Sequence, residues 1–248
     1  MAETYDVAVV GGGLNGLICA ACLARAGRSV VVLERRDVAG GVLAVEEFAP
    51  GFRAAPWPTV ETLAPEILHQ LDLAGHGLRL AEPAGVLVAG GGRPLYLPPP
   101  GGPHATRVAR AIAGVSRSDA AAFERFDAFL RRLAAAVAPL LAQPLPDLEP
   151  AGAGGWLKLL RPAWRLRRLG REELAEALRF LPMPLADVAG ERFETEALRL
   201  ATCAGGLRGS WLGPRSPGGA ALLLLHRCGL ARGAAGHPRP VAGGSLAG

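Results

Sequence analysis

The sequence YDVAVVGGGLNGLICAACLARAGRSVVVLERRD, residues 5–37, places a glycine cluster and a helix-forming run between two short apolar runs. The first run, DVAVV at 6–10, is β-branched and almost without polar side chains, as a strand covered on both faces of a parallel sheet requires. A helix is predicted over 14–26, ended by Gly27, and SVVVLE at 29–34 predicts a second buried strand. This order predicts a Rossmann-like βαβ unit in an α/β domain.

The glycines between the first strand and the helix have the G-x-G-x-x-G spacing. Gly11 permits a tight turn, Gly13 lets the main chain approach a pyrophosphate, and Gly16 lets the helix pack closely on the sheet. The start of the helix offers N–H groups and a positive dipole end to phosphates. Glu34 ends the second strand about 20 residues after the glycines, where such folds place an acid that binds a ribose. These features predict dinucleotide binding; a glycine-rich turn that binds nothing is the alternative.

Residues 34–60 continue as ERRDVAGGVLAVEEFAPGFRAAPWPTV, and the pattern LER, Gly-Gly and Gly-Phe resembles the FAD-dependent amine oxidase and phytoene desaturase superfamily. Stretches 63–80, 116–141 and 206–226 resemble its phytoene dehydrogenase-related, pyridine nucleotide-disulfide oxidoreductase domain-containing protein 2-like branch. The resemblance runs along most of the chain, although only the N-terminal motif is specific to a chemistry. Val42 departs from the family pattern, because many relatives carry Arg directly after the Gly-Gly.

The resemblance implies FAD as the cofactor, with Glu34 on the adenosine ribose and Gly40 and Gly41 beside the flavin diphosphate. The candidate cofactor-binding residues are Gly11, Gly13, Leu14, Asn15, Gly16, Glu34, Arg35, Arg36, Gly40 and Gly41. No catalytic residue is named, because family members place the groups near flavin N5 largely in segments that this chain lacks.

The predicted organisation is an incomplete FAD-binding part over 1–75, a substrate or cap domain over 76–235, and the start of a return to the FAD domain over 236–248. The second domain is predicted to be α+β and mostly helical after residue 104. Its first part, after a short helix EILHQLDL ended by Gly75, is predicted to form two or three strands. The later part contains a long helix, predicted to be capped by Ser118 or Asp119. The apolar side chains of this helix recur at helical spacing and predict a core stripe; they are Phe123, Phe126, Leu130, Leu133, Val137 and Leu140.

The composition excludes several classes of protein. The 27 basic and 22 acidic residues are spread along the chain, which argues against nucleic-acid binding. The five histidines lack metal-ligand spacing, and four cysteines do not make a disulfide framework. Cys19 and Cys22 stand inside the predicted helix and are expected to pack on the sheet rather than form a redox dithiol. Without a signal peptide or a long apolar window, the sequence predicts a cytoplasmic protein.

The predicted function is an FAD-dependent oxidoreductase that transfers a hydride from a hydrophobic small-molecule substrate to flavin. We expect this chain to be an N-terminal portion that is inactive alone, and a second chain carrying the missing half is a candidate partner. A non-catalytic remnant or interaction protein is the main alternative. An NAD(P)-dependent dehydrogenase, with Arg35 or Arg36 on a 2′-phosphate, is another. A helical cap is the preferred interpretation of the Trp- and Arg-rich stretch 156–168, and peripheral membrane contact is the alternative.

Overall fold

The computed structural model describes residues 4–54, 64–78, 86–89, 94–97, 105–141 and 164–232. The chain forms two compact units, one within residues 1–82 and the other within 83–234.

The first unit begins with the predicted βαβ arrangement. Strand β1 (Val7–Val10), helix α1 (Leu14–Arg25) and strand β2 (Val30–Leu33) follow one another, and β1 pairs with β2 in parallel. Val7 lies opposite Val30, so the two strands end together. The carboxyl ends of both strands therefore lie beside the start of α1, and the predicted Rossmann-like fold is confirmed.

A 3₁₀ turn (Gly41–Leu43) and a β-hairpin follow β2. Strands β3 (Glu46–Ala49) and β4 (Phe52–Ala54) pair antiparallel.

The next helix, α2 (Pro65–Gln70), is shorter than the sequence suggested. The predicted helix extended through EILHQLDL, but the chain leaves helical geometry at Asp72, which has φ of 47°. The Asp72 carboxylate accepts the Gly75 N–H at 3.3 Å, and this local hydrogen bond replaces a continuing helical turn.

The second unit is mostly helical, as predicted. Strands β5 (Val86–Val88) and β6 (Leu95–Leu97) form an antiparallel pair. The helices that follow are α3 (Ala105–Ala113), α4 (Arg117–Leu141), α5 (Arg171–Phe180), α6 (Leu185–Arg192), α7 (Glu196–Leu207) and α8 (Gly219–Arg232).

Four phenylalanines form the centre of this helical unit. Phe126 meets Phe180 and Phe193 edge to face, with ring centroids 6.1 and 5.9 Å apart, and Phe129 meets Phe180 at 5.6 Å. Edge-to-face pairs at such distances add to the free energy gained by burying the rings. The predicted α4 stripe is confirmed as core at Phe123, Phe126, Leu130, Leu133 and Val137, which are buried or pack against the buried cluster. Its last member, Leu140, is half-buried and is not part of that cluster.

The N-terminus of α4 differs from the prediction of a Ser118 or Asp119 cap. Ser116 is the residue whose hydroxyl accepts the Asp119 N–H, at 3.1 Å. Asp119 instead is buried and fixes the chain where it enters α7. Its carboxylate accepts the N–H of Glu194 at 2.8 Å and both the N–H and the hydroxyl of Thr195, at 2.9 and 2.6 Å.

The four cysteines are all free, and they differ in exposure. Cys19 is exposed, Cys22 and Cys203 are half-buried, and Cys228 is buried. The expectation that Cys19 packs on the sheet was therefore wrong. Burial raises the pKa of the Cys203 thiol and raises the pKa of Cys228 to about 11.

Within the described ranges, no helix has the length and apolar character needed to cross a membrane.

Candidate dinucleotide-binding site

The glycine loop between β1 and α1 is held against the end of β2. The Gly11 N–H donates to the Leu33 carbonyl at 2.7 Å, and the Leu17 N–H donates to the Gly13 carbonyl at 2.9 Å. A Cβ added at Gly16 would overlap the carbonyl oxygen of Gly11. Only glycine therefore fits at position 16 without moving the turn, which is the packing role predicted for it from the spacing.

The start of α1 is open main chain rather than a capped helix end. Gly13 is the N-cap residue, no side chain makes a capping hydrogen bond there, and the first turn contains no acidic residue. Leu14, Asn15 and Gly16 form that first turn. Their N–H groups have no carbonyl four residues earlier within the helix, so this end carries partial positive charge. The arrangement suits an anionic group such as a diphosphate.

A second pair of glycines lies beside this loop. The Gly40 N–H donates to the Gly12 carbonyl at 2.7 Å, and Gly13 and Gly40 form a parallel bridge. A Cβ added at Gly41, where φ is 59°, would lie 3.0 Å from the Cα of Gly13. Two glycine segments that α1 and β2 separate in the sequence thus form one strip without side chains.

Glu34 lies at the edge of the same strip, directly after β2. One carboxylate oxygen accepts the Gly12 N–H at 2.7 Å, and the other accepts the Arg36 N–H at 3.0 Å. These hydrogen bonds hold the pKa of Glu34 below its ordinary value. The bond from the Arg36 N–H has the larger effect, and the bond from the Gly12 N–H has the next largest. The group is therefore an anion at neutral pH. Because a carboxylate can accept about four hydrogen bonds, it keeps capacity for sugar hydroxyls.

Arg36 is held by groups of the protein itself. Its guanidinium donates to the Gly41 carbonyl at 3.3 Å and forms an ion pair with Glu46 of β3. The Arg35 side chain is exposed, as is that of Arg36. Glu46 was not among the predicted site residues, because no local pattern in the sequence indicates its partner. The ion pair links the Gly40-Gly41 turn to the following hairpin.

The described residues contain no group of three or more His, Cys, Asp or Glu side chains placed to hold a metal ion.

Comparison with known proteins agrees with this geometry. Residues 9–78 match the family model described as an NAD(P)-binding Rossmann-like domain. The chain is 34% identical over 252 residues to pyridine nucleotide-disulfide oxidoreductase domain-containing protein 2 of Rattus norvegicus, and the match covers 97% of this chain and 43% of that protein. The protein of the same name from Mus musculus is also 34% identical, with the same coverage of 97% and 43%.

A shorter match falls on a related enzyme. Phytoene dehydrogenase of Streptomyces griseus is 45% identical over 76 residues, which are 31% of this chain and 14% of that enzyme. The resemblance to the phytoene dehydrogenase-related branch is confirmed. The chain spans less than half the length of the rat and mouse relatives that it matches along nearly all of its own sequence.

Proposed function

We propose that this chain supplies the dinucleotide-binding unit of an FAD-dependent oxidoreductase. The chain is related along 97% of its length to pyridine nucleotide-disulfide oxidoreductase domain-containing protein 2, and residues 9–78 match a Rossmann-like domain. The observation that carries the proposal is the double glycine strip, in which Gly40 bonds to Gly12 and Glu34 lies at the edge. A strip without side chains lets a diphosphate approach bare main chain, and the acid then reaches the adjoining sugar.

Each group on the strip has a distinct task in this proposal. The N–H groups at the start of α1, at Leu14, Asn15 and Gly16, bind the diphosphate. The Glu34 carboxylate accepts hydrogen bonds from the adenosine ribose, and its ionised state at neutral pH suits that task. Arg36, through Gly41 and Glu46, holds the second glycine pair against the first.

The flavin would supply the redox chemistry, accepting a hydride from a substrate C–H bond. The protein's part is then to bind and orient the cofactor. A hydrophobic small-molecule substrate, a cytoplasmic location and peripheral membrane contact through residues 156–168 are further proposals. Most of that stretch lies outside the described residues; within it, the exposed ring of Trp164 is covered on one face by the Arg168 guanidinium, 3.8 Å from its centroid.

NADPH fits the site less well than FAD. An anionic Glu34 would repel a 2′-phosphate, and Arg36, which could pair with that phosphate, already binds Glu46. NADH lacks that phosphate, so it is the nearest competitor, and the match to an NAD(P)-binding family model is the reason to test it.

The test is flavin binding by the full chain. We expect FAD to raise the thermal midpoint more than NADH or NADPH does, since a ligand stabilises the state that binds it. Gly16→Ala should abolish that shift, because the new methyl group displaces the Gly11 carbonyl. Gly205→Ala is the matched control, since a Cβ there meets no heavy atom within 4 Å. A shift with NADH alone, or an FAD shift that survives Gly16→Ala, would contradict the proposal.

The strand pair suggests that turnover needs a further chain segment. Val10 of β1 is 84% exposed and Leu33 of β2 is 53% exposed, whereas parallel strands are normally covered on both faces. We propose that added strands, from a second chain carrying the remaining part of the relatives' length, complete this sheet, and that without them the chain binds FAD weakly and does not turn over. A stoichiometric flavin that is bleached by a substrate in the purified chain would refute this.

A non-catalytic interaction protein remains the alternative to an enzyme. Such a protein would keep the fold without the ligand, so absence of any FAD, NADH or NADPH shift in the folded chain would favour it.

A further inference from the structure

The helical unit contains an open surface cavity of about 710 Å³ between α6, α7 and the loop at residues 213–217. This volume is within the range of small-molecule sites. All of its lining residues belong to the second unit.

The rim of the cavity is fixed by main-chain hydrogen bonds. The Ala186 N–H, at the start of α6, donates to the Pro214 carbonyl at 2.8 Å. The Gly213 N–H donates to the Ser216 hydroxyl at 3.1 Å, and the Ser216 N–H returns a bond to the Gly213 carbonyl at 3.0 Å. Two residues of the loop are prolines, which restrict its backbone. The cavity is therefore formed before any ligand arrives, which lowers the entropy cost of binding.

The cavity has an aliphatic lining, to which both helices and the loop contribute. Its members are Ala186, Ala189, Leu200, Pro214 and Pro217. Leu200 is 45% exposed although it lies on α7, whose opposite side contributes to the core. Covering this surface with a hydrocarbon chain would remove apolar area from water.

Two arginines and one carboxylate line the cavity: Arg199, Arg215 and Glu196. The Arg199 Nε–H donates to the Phe193 carbonyl at 2.6 Å, and the buried Asp119 carboxylate offsets part of the Arg199 charge. Arg215 has an exposed side chain and, among the described residues, forms no ion pair. A guanidinium presents paired N–H groups that match the geometry of a carboxylate.

We infer that this cavity binds an aliphatic carboxylate, with the hydrocarbon chain along the aliphatic lining and the carboxylate at Arg215 and Arg199. The Arg215 guanidinium, which forms no ion pair among the described residues, matches one carboxylate, and the apolar lining selects for a hydrocarbon chain rather than a small polar acid. The site is independent of the dinucleotide proposal, because none of its residues belongs to the glycine strip.

Calorimetric titration of the full chain with decanoate tests the inference. We expect decanoate to bind at least about tenfold more tightly than decanol or decylamine, which keep the chain but lack the negative charge. Arg215→Gln should weaken decanoate binding about tenfold and leave decanol binding unchanged. Arg171→Gln, an exposed arginine of α5 that does not line the cavity, is the matched control and should bind as the wild type does.

A second variant tests the aliphatic lining. Leu200→Asp places a carboxylate on a half-exposed position, so the fold should survive, as circular dichroism would verify. Decanoate binding should then fall more than tenfold through charge repulsion and loss of apolar contact. Equal affinity for decanoate and decanol, full binding by Arg215→Gln, or no decanoate binding by the folded wild type would each overturn the inference. Because FAD binding is measured separately, failure of one proposal leaves the other intact.

Discussion

The two units of this chain use their apolar residues in opposite ways. In the helical unit, four phenylalanines pack against one another, and Phe180 and Phe193 are 0% and 2% exposed, although Trp164 and Trp211 of the same unit are exposed. In the βαβ unit, Val10 and Leu33 stand largely in solvent, and the sheet has two strands among the residues that the structure describes. The buried aromatic core therefore belongs to the second unit, which forms a closed core of its own. The first unit instead presents bare main chain at its glycine strip.

The strongest test of this contrast removes a ring from the helical core. Phe180→Ala should lower the free energy of unfolding by about 3–5 kcal/mol, because it leaves a cavity beside Phe126 and Phe129. Urea unfolding followed by far-ultraviolet circular dichroism measures it. Leu178→Ala, on the same helix but 65% exposed, should change the value by less than about 0.5 kcal/mol. Equal losses in the two variants would show that the closed core is not the source of stability.

The next test concerns the buried carboxylate of the helical unit. Burial by itself would raise the pKa of Asp119, but the hydrogen bonds from the Thr195 hydroxyl and from the main chain of Glu194 and Thr195 outweigh it and lower the pKa. Asp119→Ala leaves those donors unpaired and should cost about 1–3 kcal/mol at pH 7.

The pH dependence of that cost has a defined sign. Because the pKa of Asp119 is lower in the folded state, its stabilising contribution is present above the unfolded pKa of about 4 and is lost as pH falls through the folded pKa. The difference in unfolding free energy between wild type and Asp119→Asn should therefore shrink from pH 7 to pH 3. A constant difference would mean that the charge of Asp119 does not contribute.

Two adjacent glycines of α7, Gly205 and Gly206, test how tightly the helical core is packed, because Gly→Ala adds a single methyl group at each position. A Cβ at Gly206 would lie 2.5 Å from Leu185 Cδ1, whereas a Cβ at Gly205 meets nothing within 4 Å. Gly206→Ala should destabilise by about 1–3 kcal/mol through overpacking. Gly205→Ala should stabilise by up to about 1 kcal/mol, because alanine favours the helix. If the core is as tightly packed as these distances indicate, thermal denaturation should show a lower midpoint than wild type for Gly206→Ala and a higher midpoint for Gly205→Ala.

The smallest expected effect is in the βαβ unit. Val10→Ala removes two methyl groups from an 84% exposed side chain, so the unfolding free energy of the chain should change by less than about 0.5 kcal/mol. A loss above about 1 kcal/mol in equilibrium unfolding would contradict the difference between the units, because it would require β1 to be covered in solution.

The dinucleotide unit was predictable because its determinants are local. The spacing of Gly11, Gly13 and Gly16 and the β-branched runs on either side specify strand, turn, helix and strand within a short stretch. The packing of Gly40 against Gly12 and the ion pair of Arg36 with Glu46 did not follow from any local pattern.

The parts that were missed depend on residues distant in sequence. Ser118 and Asp119 both have cap-forming side chains, and only the position of Thr195 shows that Asp119 serves the entry to α7. The cavity was not predicted either, because its lining comes from two helices and the loop at 213–217. The early end of α2 at Asp72 shows the opposite case, in which a local side-chain bond overrides apolar periodicity.

Each unit contains two free cysteines, whose reaction with a thiol reagent can be followed separately. Cys19 and Cys22 belong to the βαβ unit, and Cys203 and Cys228 to the helical unit. A thiol reagent should modify Cys19 at once, while Cys228, buried and with its pKa raised to about 11, should react only when the helices separate. Mass spectrometry of the labelled peptides would thus measure when the core opens, with no residue added to the native sequence.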